Sequence, residues 1–113
     1  MKVIPHDPGK AEHVSTEGAR GVRLTSLISE NEGADNFAMR LFDVEPGGHT
    51  PLHEHAWEHE VFIVSGSGEL RGKTVMPFAA GDAVFVEPGE VHQFANTGAE
   101  VLRFICCVPM IQE

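Results

Sequence analysis

Residues 53–66 read HEHAWEHEVFIVSG: three histidines and three glutamates in eight positions, then an apolar run and a glycine. Side chains on an extended chain alternate faces with a period of two. His53, His55 and His59 share parity and turn to one side, while Glu54, Glu58 and Glu60 turn to the other. A bulge between residues 55 and 59 would change that sorting. Three imidazoles from one segment form a cap suited to Mn, Fe, Ni, Cu or Zn. The continuous run EVFIV (60–64) predicts a strand covered on both faces.

Outward from this stretch the chain reads as short β segments divided by glycine and proline. GVRLTSLIS (21–29) and NFAMRLFDV (36–44) are strand-like, and EPGGHTP (45–51) reads as a turn. SGSG (65–68) is a second turn, followed by strand-like text in residues 69–78, 82–87, 92–96 and 101–108. Gly66, Gly68, Gly81, Gly89 and Gly98 all read as turn residues. Helical periodicity is absent. Short strands at roughly 8–12-residue intervals predict an all-β sandwich or barrel. No repeat or linker divides the chain, so residues 1–113 read as one domain.

Composition narrows the partners. Eight Lys and Arg against seventeen Asp and Glu give a net charge of −9, which excludes a phosphate-backbone footprint and hence nucleic acid. No apolar stretch approaches a membrane span, and the start MKVIPHDPGKAEH lacks an apolar signal segment. The only cysteines, Cys106 and Cys107, are adjacent and cannot staple a loop. These features predict a reducing, cytoplasmic setting without membrane contact. A chain this small leaves much surface open, which a partner subunit would cover.

A second stretch, GDAVFVEPGEVHQFAN (81–96), joins the first to make a resemblance. Together they resemble the two motifs of the cupin family: a glycine, five residues, His-x-His, three or four residues, an acidic ligand, six residues and a glycine; then a glycine with a histidine eleven positions on and an asparagine four beyond that. Gly47, His53, His55 and Gly66 match the first; Gly81, His92 and Asn96 match the second. Pro88 stands one place later than the usual proline, with Gly89 directly after it. The acidic position is ambiguous. A four-residue gap selects Glu60 but leaves five residues before Gly66, whereas a three-residue gap selects His59 and keeps six. Strand parity also selects His59. The text further resembles a subgroup of small manganese cupins with four histidine ligands, here His53, His55, His59 and His92.

The resemblance implies a single-domain jelly-roll β-barrel (a double-stranded β-helix), with a core over about residues 36–109. It also implies a homodimer, with the N-terminal strands of residues 1–35 at its interface. Mn(II) is the expected ion, with Fe(II), Ni(II), Cu(II) or Zn(II) as alternatives. Glu58, Glu60 and backbone carbonyls are candidate acceptors for the outer ring nitrogens. Around the ion, Arg103 prefers solvent, which turns Leu102, Phe104, Cys106 and Val108 inward. Cys107 then faces outward or into a subunit contact. Candidate cavity residues are Cys106, Phe104, Arg40 and His49: a thiol, an aromatic wall, a cation for a substrate carboxylate and an acid/base group. The expected activity is that of a metal-dependent oxidoreductase of dioxygenase type, taking O2 and a small organic substrate. An isomerase or lyase using the ion as a Lewis acid is the alternative, and a non-catalytic small-ligand or metal-binding protein is a third.

Overall fold

Alternation of buried and open residues is most regular in the last strand, where Leu102, Phe104, Cys106 and Val108 are buried and the residues between them are not. The computed structural model describes residues 1–110. Its strands are β1 (Glu12–His13), β2 (Arg20–Ile28), β3 (Phe37–His49), β4 (His59–Ser65), β5 (Ser67–Arg71), β6 (Val75–Ala79), β7 (Ala83–Val86), β8 (Gln93–Ala95) and β9 (Leu102–Pro109). Among the described residues the only helical turns are two short 3-10 segments, Pro8–Lys10 and Glu30–Glu32. No helix there is long and apolar enough to cross a membrane.

All pairings are antiparallel, in the order β6-β5-β8-β3-β9-β4-β7, with β2 added to β3 and β1 to β2. The sheet curls into a jelly-roll half-barrel. Its concave side buries Val22, Val44, Val61, Ile63, Leu102 and Phe104 in one cluster. Each such side chain contributes about 1.5–3 kcal/mol on leaving water. The all-β expectation is met throughout.

Three local expectations are corrected. The 45–51 segment is not simply a turn, because β3 runs on to His49. Gly47 takes φ 80°, and a Cβ at Gly48 would lie 2.4 Å from the Arg20 carbonyl oxygen. The two glycines therefore permit an irregular continuation of the strand, where the register against β2 shifts between Arg20 and Val22. Second, EVFIV is covered on one face only. His59, Val61 and Ile63 are buried, whereas Phe62 is 49% exposed and Val64 is open. The apolar run concealed the alternation because both of its faces carry apolar side chains. Third, Gly68 lies inside β5, not in a turn; a Cβ there would stand 2.1 Å from the Ala95 carbonyl oxygen.

Candidate metal centre

Backbone pairing brings together histidines 39 positions apart. His53 and His92 face each other as an isolated antiparallel bridge, exchanging N–H to carbonyl bonds of 3.1 and 2.9 Å. Directly opposed residues project to the same side of a ribbon, so both rings enter the barrel mouth. His59 opens β4 and is buried with its inward neighbours Val61 and Ile63. His55 sits in the connection between these elements. Its carbonyl accepts from the Gly89 N–H at 2.7 Å, and its ring stacks on Trp57 at 4.5 Å with an angle of 3°. The shifted Pro88-Gly89 turn thus holds the loop that carries His55; Gly89 takes φ 77°, which glycine adopts without strain.

The four rings converge. Centroids lie 4.6 Å apart for His53 and His55, 4.8 Å for His53 and His92, 4.4 Å for His55 and His59, and 5.2 Å for His59 and His92. His53, His55 and His92 each offer a nitrogen within 4.8 Å of the others. The Nε2 of His59 lies 3.1 Å from the Nδ1 of His55. Two nitrogens at right angles on one ion, with bonds of about 2.1 Å, stand about 3 Å apart. The spacing suits a shared cation.

Protonation favours the same use. Burial, then the neighbouring His92 and Arg40, hold His53 below the ordinary imidazole range. Burial first, followed by nearby rings and Arg40, lowers His55 to about 4 and His59 to about 3. These three rings are neutral at pH 7, the state that donates a lone pair to a metal. The Nδ1–H of His92 donates to the Glu90 carbonyl at 2.8 Å, which leaves its Nε2 as the free donor. The Nδ1 of His59 lies 3.0 Å from Cys106 Sγ. Residues present therefore fit a divalent ion bound by imidazole.

Of the candidate outer acceptors, a backbone carbonyl fills the role at His92, and the two glutamates do not fill it. A backbone carbonyl and a buried thiol meet the second nitrogens of His92 and His59. Glu60 instead points outward, exposed beside Glu58, and a hydrogen bond to that carboxyl raises its pKa. It is not part of the converging group: His53, His55 and His92 are the rings whose nitrogens stand close enough to share one ion, and the His59 ring lies against His55.

Beside the rings lies a cavity of about 560 Å³, of the size that small-molecule sites occupy. Arg40, Phe104 and Cys106 line it; His49 does not. The His49 ring stays at the end of β3, its Nδ1 3.3 Å from both the Thr50 carbonyl oxygen and the Gln93 amide nitrogen. Phe104 stacks between Phe42 at 5.0 Å and Phe94 at 4.8 Å, which makes an aromatic wall. Sequence reading missed Val14, Val22, Leu24 and Trp57, which also line it. Trp57 alone carried a signal, as the single tryptophan set among the histidines; Val22 and Leu24 enter through the β2–β3 pairing, and Val14 through its backbone bond to Val22.

Comparison with known proteins agrees with this architecture. The Cupin_2 family model, a cupin domain, matches residues 40–108. An oxalate-binding protein of Thermotoga maritima is 37% identical over 101 residues, covering 83% of this chain and 81% of that protein. A 1-methylthio-D-xylulose 5-phosphate methylsulfurylase of Rhodospirillum rubrum is 38% identical over 71 residues, or 62% of this chain; the match spans only 46% of the relative. The solved polyketide cyclase RemF of Streptomyces resistomycificus superposes with a TM-score of 0.90 at 34% identity, covering 98% of this chain and 80% of that one. With the matched model spanning both histidine-bearing ribbons of a curled antiparallel sheet, the chain belongs to the Cupin_2 family of cupin domains.

Proposed function

We propose that this cupin is a divalent-metal enzyme acting on a small organic substrate, with His53, His55, His59 and His92 as ligands and Mn(II) as the working ion. The observation that carries this reading is the convergence of neutral imidazoles at the wall of an apolar cavity. A divalent ion with four neutral ligands supplies positions for a chelating substrate or dioxygen, or polarises a bound oxygen as a Lewis acid. The chain's residues do the rest. Glu90's carbonyl orients His92, the Cys106 thiol abuts His59, and the Phe42–Phe104–Phe94 stack limits water.

An oxidoreductase of dioxygenase type is the first form of this proposal, since an apolar cavity admits both O2 and an organic substrate. Similarity to a polyketide cyclase favours a second, redox-silent form, because ring closure needs no external oxidant. Similarity to an oxalate-binding protein supports binding without turnover. Metal analysis of untagged protein, then substrate screening with and without O2, separates the three. O2 uptake coupled to turnover supports the first, anaerobic turnover the second, and saturable binding alone the third. Full metal content after alanine replacement of each of the four histidines refutes the proposed centre.

We also propose a homodimer in a cytoplasmic setting. Phe62, Val64 and Phe85 form an open apolar area on adjacent strands β4 and β7, of a kind that a second copy covers. Residues 1–35 border the same assembly in this proposal, while within their own chain β1 pairs with β2 and β2 with β3.

A further inference from the structure

Among the described residues Arg40 is a cation without a counter-ion. It lies on β3 between Ser26 of β2 and Cys106 of β9, and it lines the histidine cavity. Its Nε is buried with no hydrogen-bond partner. Its Nη2 reaches only the Cys106 sulfur, at 3.6 Å, which is a weak acceptor. The guanidinium carbon stands 5.3 Å from the centre of the Phe42 ring. Both ion pairs among the described residues lie elsewhere, Arg71 with Glu69 and Arg103 with Asp43. Glu17 and Glu54 also line the cavity, yet neither pairs with Arg40.

A buried N–H left unpaired is costly, and a guanidinium presents its donors as a planar fork matched to an oxyanion. We propose that Arg40 is the recognition group for a carboxylate, and that the cavity takes a small organic acid with an apolar body. This deepens the substrate assignment and rests on reading the cavity as the substrate site. Val22, Leu24, Phe42, Phe94 and Phe104 surround the body of such a ligand. A carboxylate matches the fork in two parallel bonds and brings one negative charge. A phosphoryl dianion brings a second, which Glu17 and Glu54 repel.

Trp57, the only tryptophan, lines the same cavity and reports occupancy by its fluorescence. Mn(II)-loaded wild type, Arg40→Met and Arg40→Lys are titrated with benzoate, its neutral isostere benzamide, and phenyl phosphate. Wild type is expected to bind benzoate at least tenfold more tightly than benzamide. Arg40→Met abolishes that preference, and Arg40→Lys retains only part of it because its ammonium lacks the fork. Equal affinity of wild type for benzoate and benzamide, or failure to bind either, overturns the proposal without requiring any variant to fold. An undiminished preference in Arg40→Met overturns it too, since the ion alone would then select the anion. Tighter binding of phenyl phosphate than of benzoate overturns the carboxylate assignment. Mn(II) content, measured by equilibrium dialysis on the same samples, separates this result from the metal proposal. A preference that depends on Arg40 in protein that takes up no Mn(II) supports the anion site and sinks only the metal centre.

Discussion

The Nδ1 of His59, at the start of β4, lies 3.0 Å from the Sγ of Cys106 on β9. Both groups are buried, and burial keeps the Cys106 thiol above its ordinary pKa, so it stays protonated at neutral pH. In the tautomer that directs Nδ1–H at the sulfur, the one a metal ligand requires, the Nε2 of His59 faces the His55 ring with its lone pair free. Cys106→Ala removes this contact and leaves the ring less firmly oriented. We expect about a tenfold loss of Mn(II) affinity, the lower end of what outer contacts to ligand histidines are worth. Cys106→Ser, whose hydroxyl accepts from Nδ1–H, should lose less. Equilibrium dialysis measures both, and an alanine variant with wild-type affinity removes the thiol from the centre.

Acid should destabilise the metal-free protein by way of the same rings. Folding lowers the pKa of His53, His55 and His59 through burial first and neighbouring positive charge second. Below about pH 6.5, the unfolded chain then binds more protons than the folded one. The contribution of these rings is complete above that pH. It declines as pH falls toward the folded values of about 4 for His55 and about 3 for His59. Urea midpoints of stripped protein should be level from pH 7 to 8 and fall from pH 6.5 to 4. The decline should be shallower in His59→Gln, which lacks the most strongly shifted ring. Equal slopes in the two proteins would remove His59 as the cause.

The histidine cluster was readable from its spacing, but strand parity is not what gathers the rings: residues 54–58 form no strand, and His55 sits in the connection between the His53 bridge and β4. The pairing of His53 with His92 was legible only through the linked motifs, since periodicity says nothing about which strands meet. Strand text failed where it was uniform. EVFIV carries apolar residues on both faces, so its pattern could not reveal that Phe62 faces outward. Gly68 looked like a turn residue because the requirement it meets, close approach of Ala95, comes from a strand 27 positions away. Arg40 was suggestive as one cation in apolar text, but its lack of a carboxylate partner among the described residues is a property of the assembled sheet.

Gly68 and Gly81 provide a test of close approach against backbone strain. A Cβ at Gly68 would stand 2.1 Å from the Ala95 carbonyl oxygen and 3.0 Å from the Phe78 ring, so β5 and β8 must separate to admit it. Gly81 has open space around it but takes φ 94°. Gly68→Ala should cost about 3 kcal/mol, at the upper end for overpacking. Gly81→Ala should cost about 1 kcal/mol from strain alone. Denaturant unfolding compares them, and equal losses would show that proximity to β8 is not what requires glycine at 68.

The open face of β4 makes its own prediction. Phe62 and Phe85 are 49% and 55% exposed, and their strands pair directly. If a second copy covers them, Phe62→Glu buries a charge at the contact and should shift the assembly to monomer at micromolar concentration. Sedimentation velocity reads this directly. A wild type that is already monomeric at high concentration, or a variant that remains dimeric, excludes this face as the contact.

Asn96 gives a physical reason for the asparagine that ends the second motif. Its amide Nδ2 donates to the Val44 carbonyl at 2.9 Å and to the Glu100 carbonyl at 2.8 Å, while its Oδ1 accepts from the Gly98 N–H at 2.9 Å. The side chain is buried, and one amide thereby ties the turn before β9 to the middle of β3. Alanine at 96 leaves two carbonyls and one N–H without these partners, at about 1–3 kcal/mol for each that water cannot reach. We expect Asn96→Ala to lose about 3 kcal/mol of stability. Asn96→Asp should be no better, because a carboxylate cannot donate and would face the two carbonyl oxygens. The backbone bonds linking Asn96 to Gly47 and Gly48 do not depend on its side chain. Loss of stability in both variants, with Mn(II) affinity kept in the molecules that remain folded, would identify Asn96 as a brace of the barrel. An aspartate variant as stable as wild type would show that donation by this amide contributes nothing.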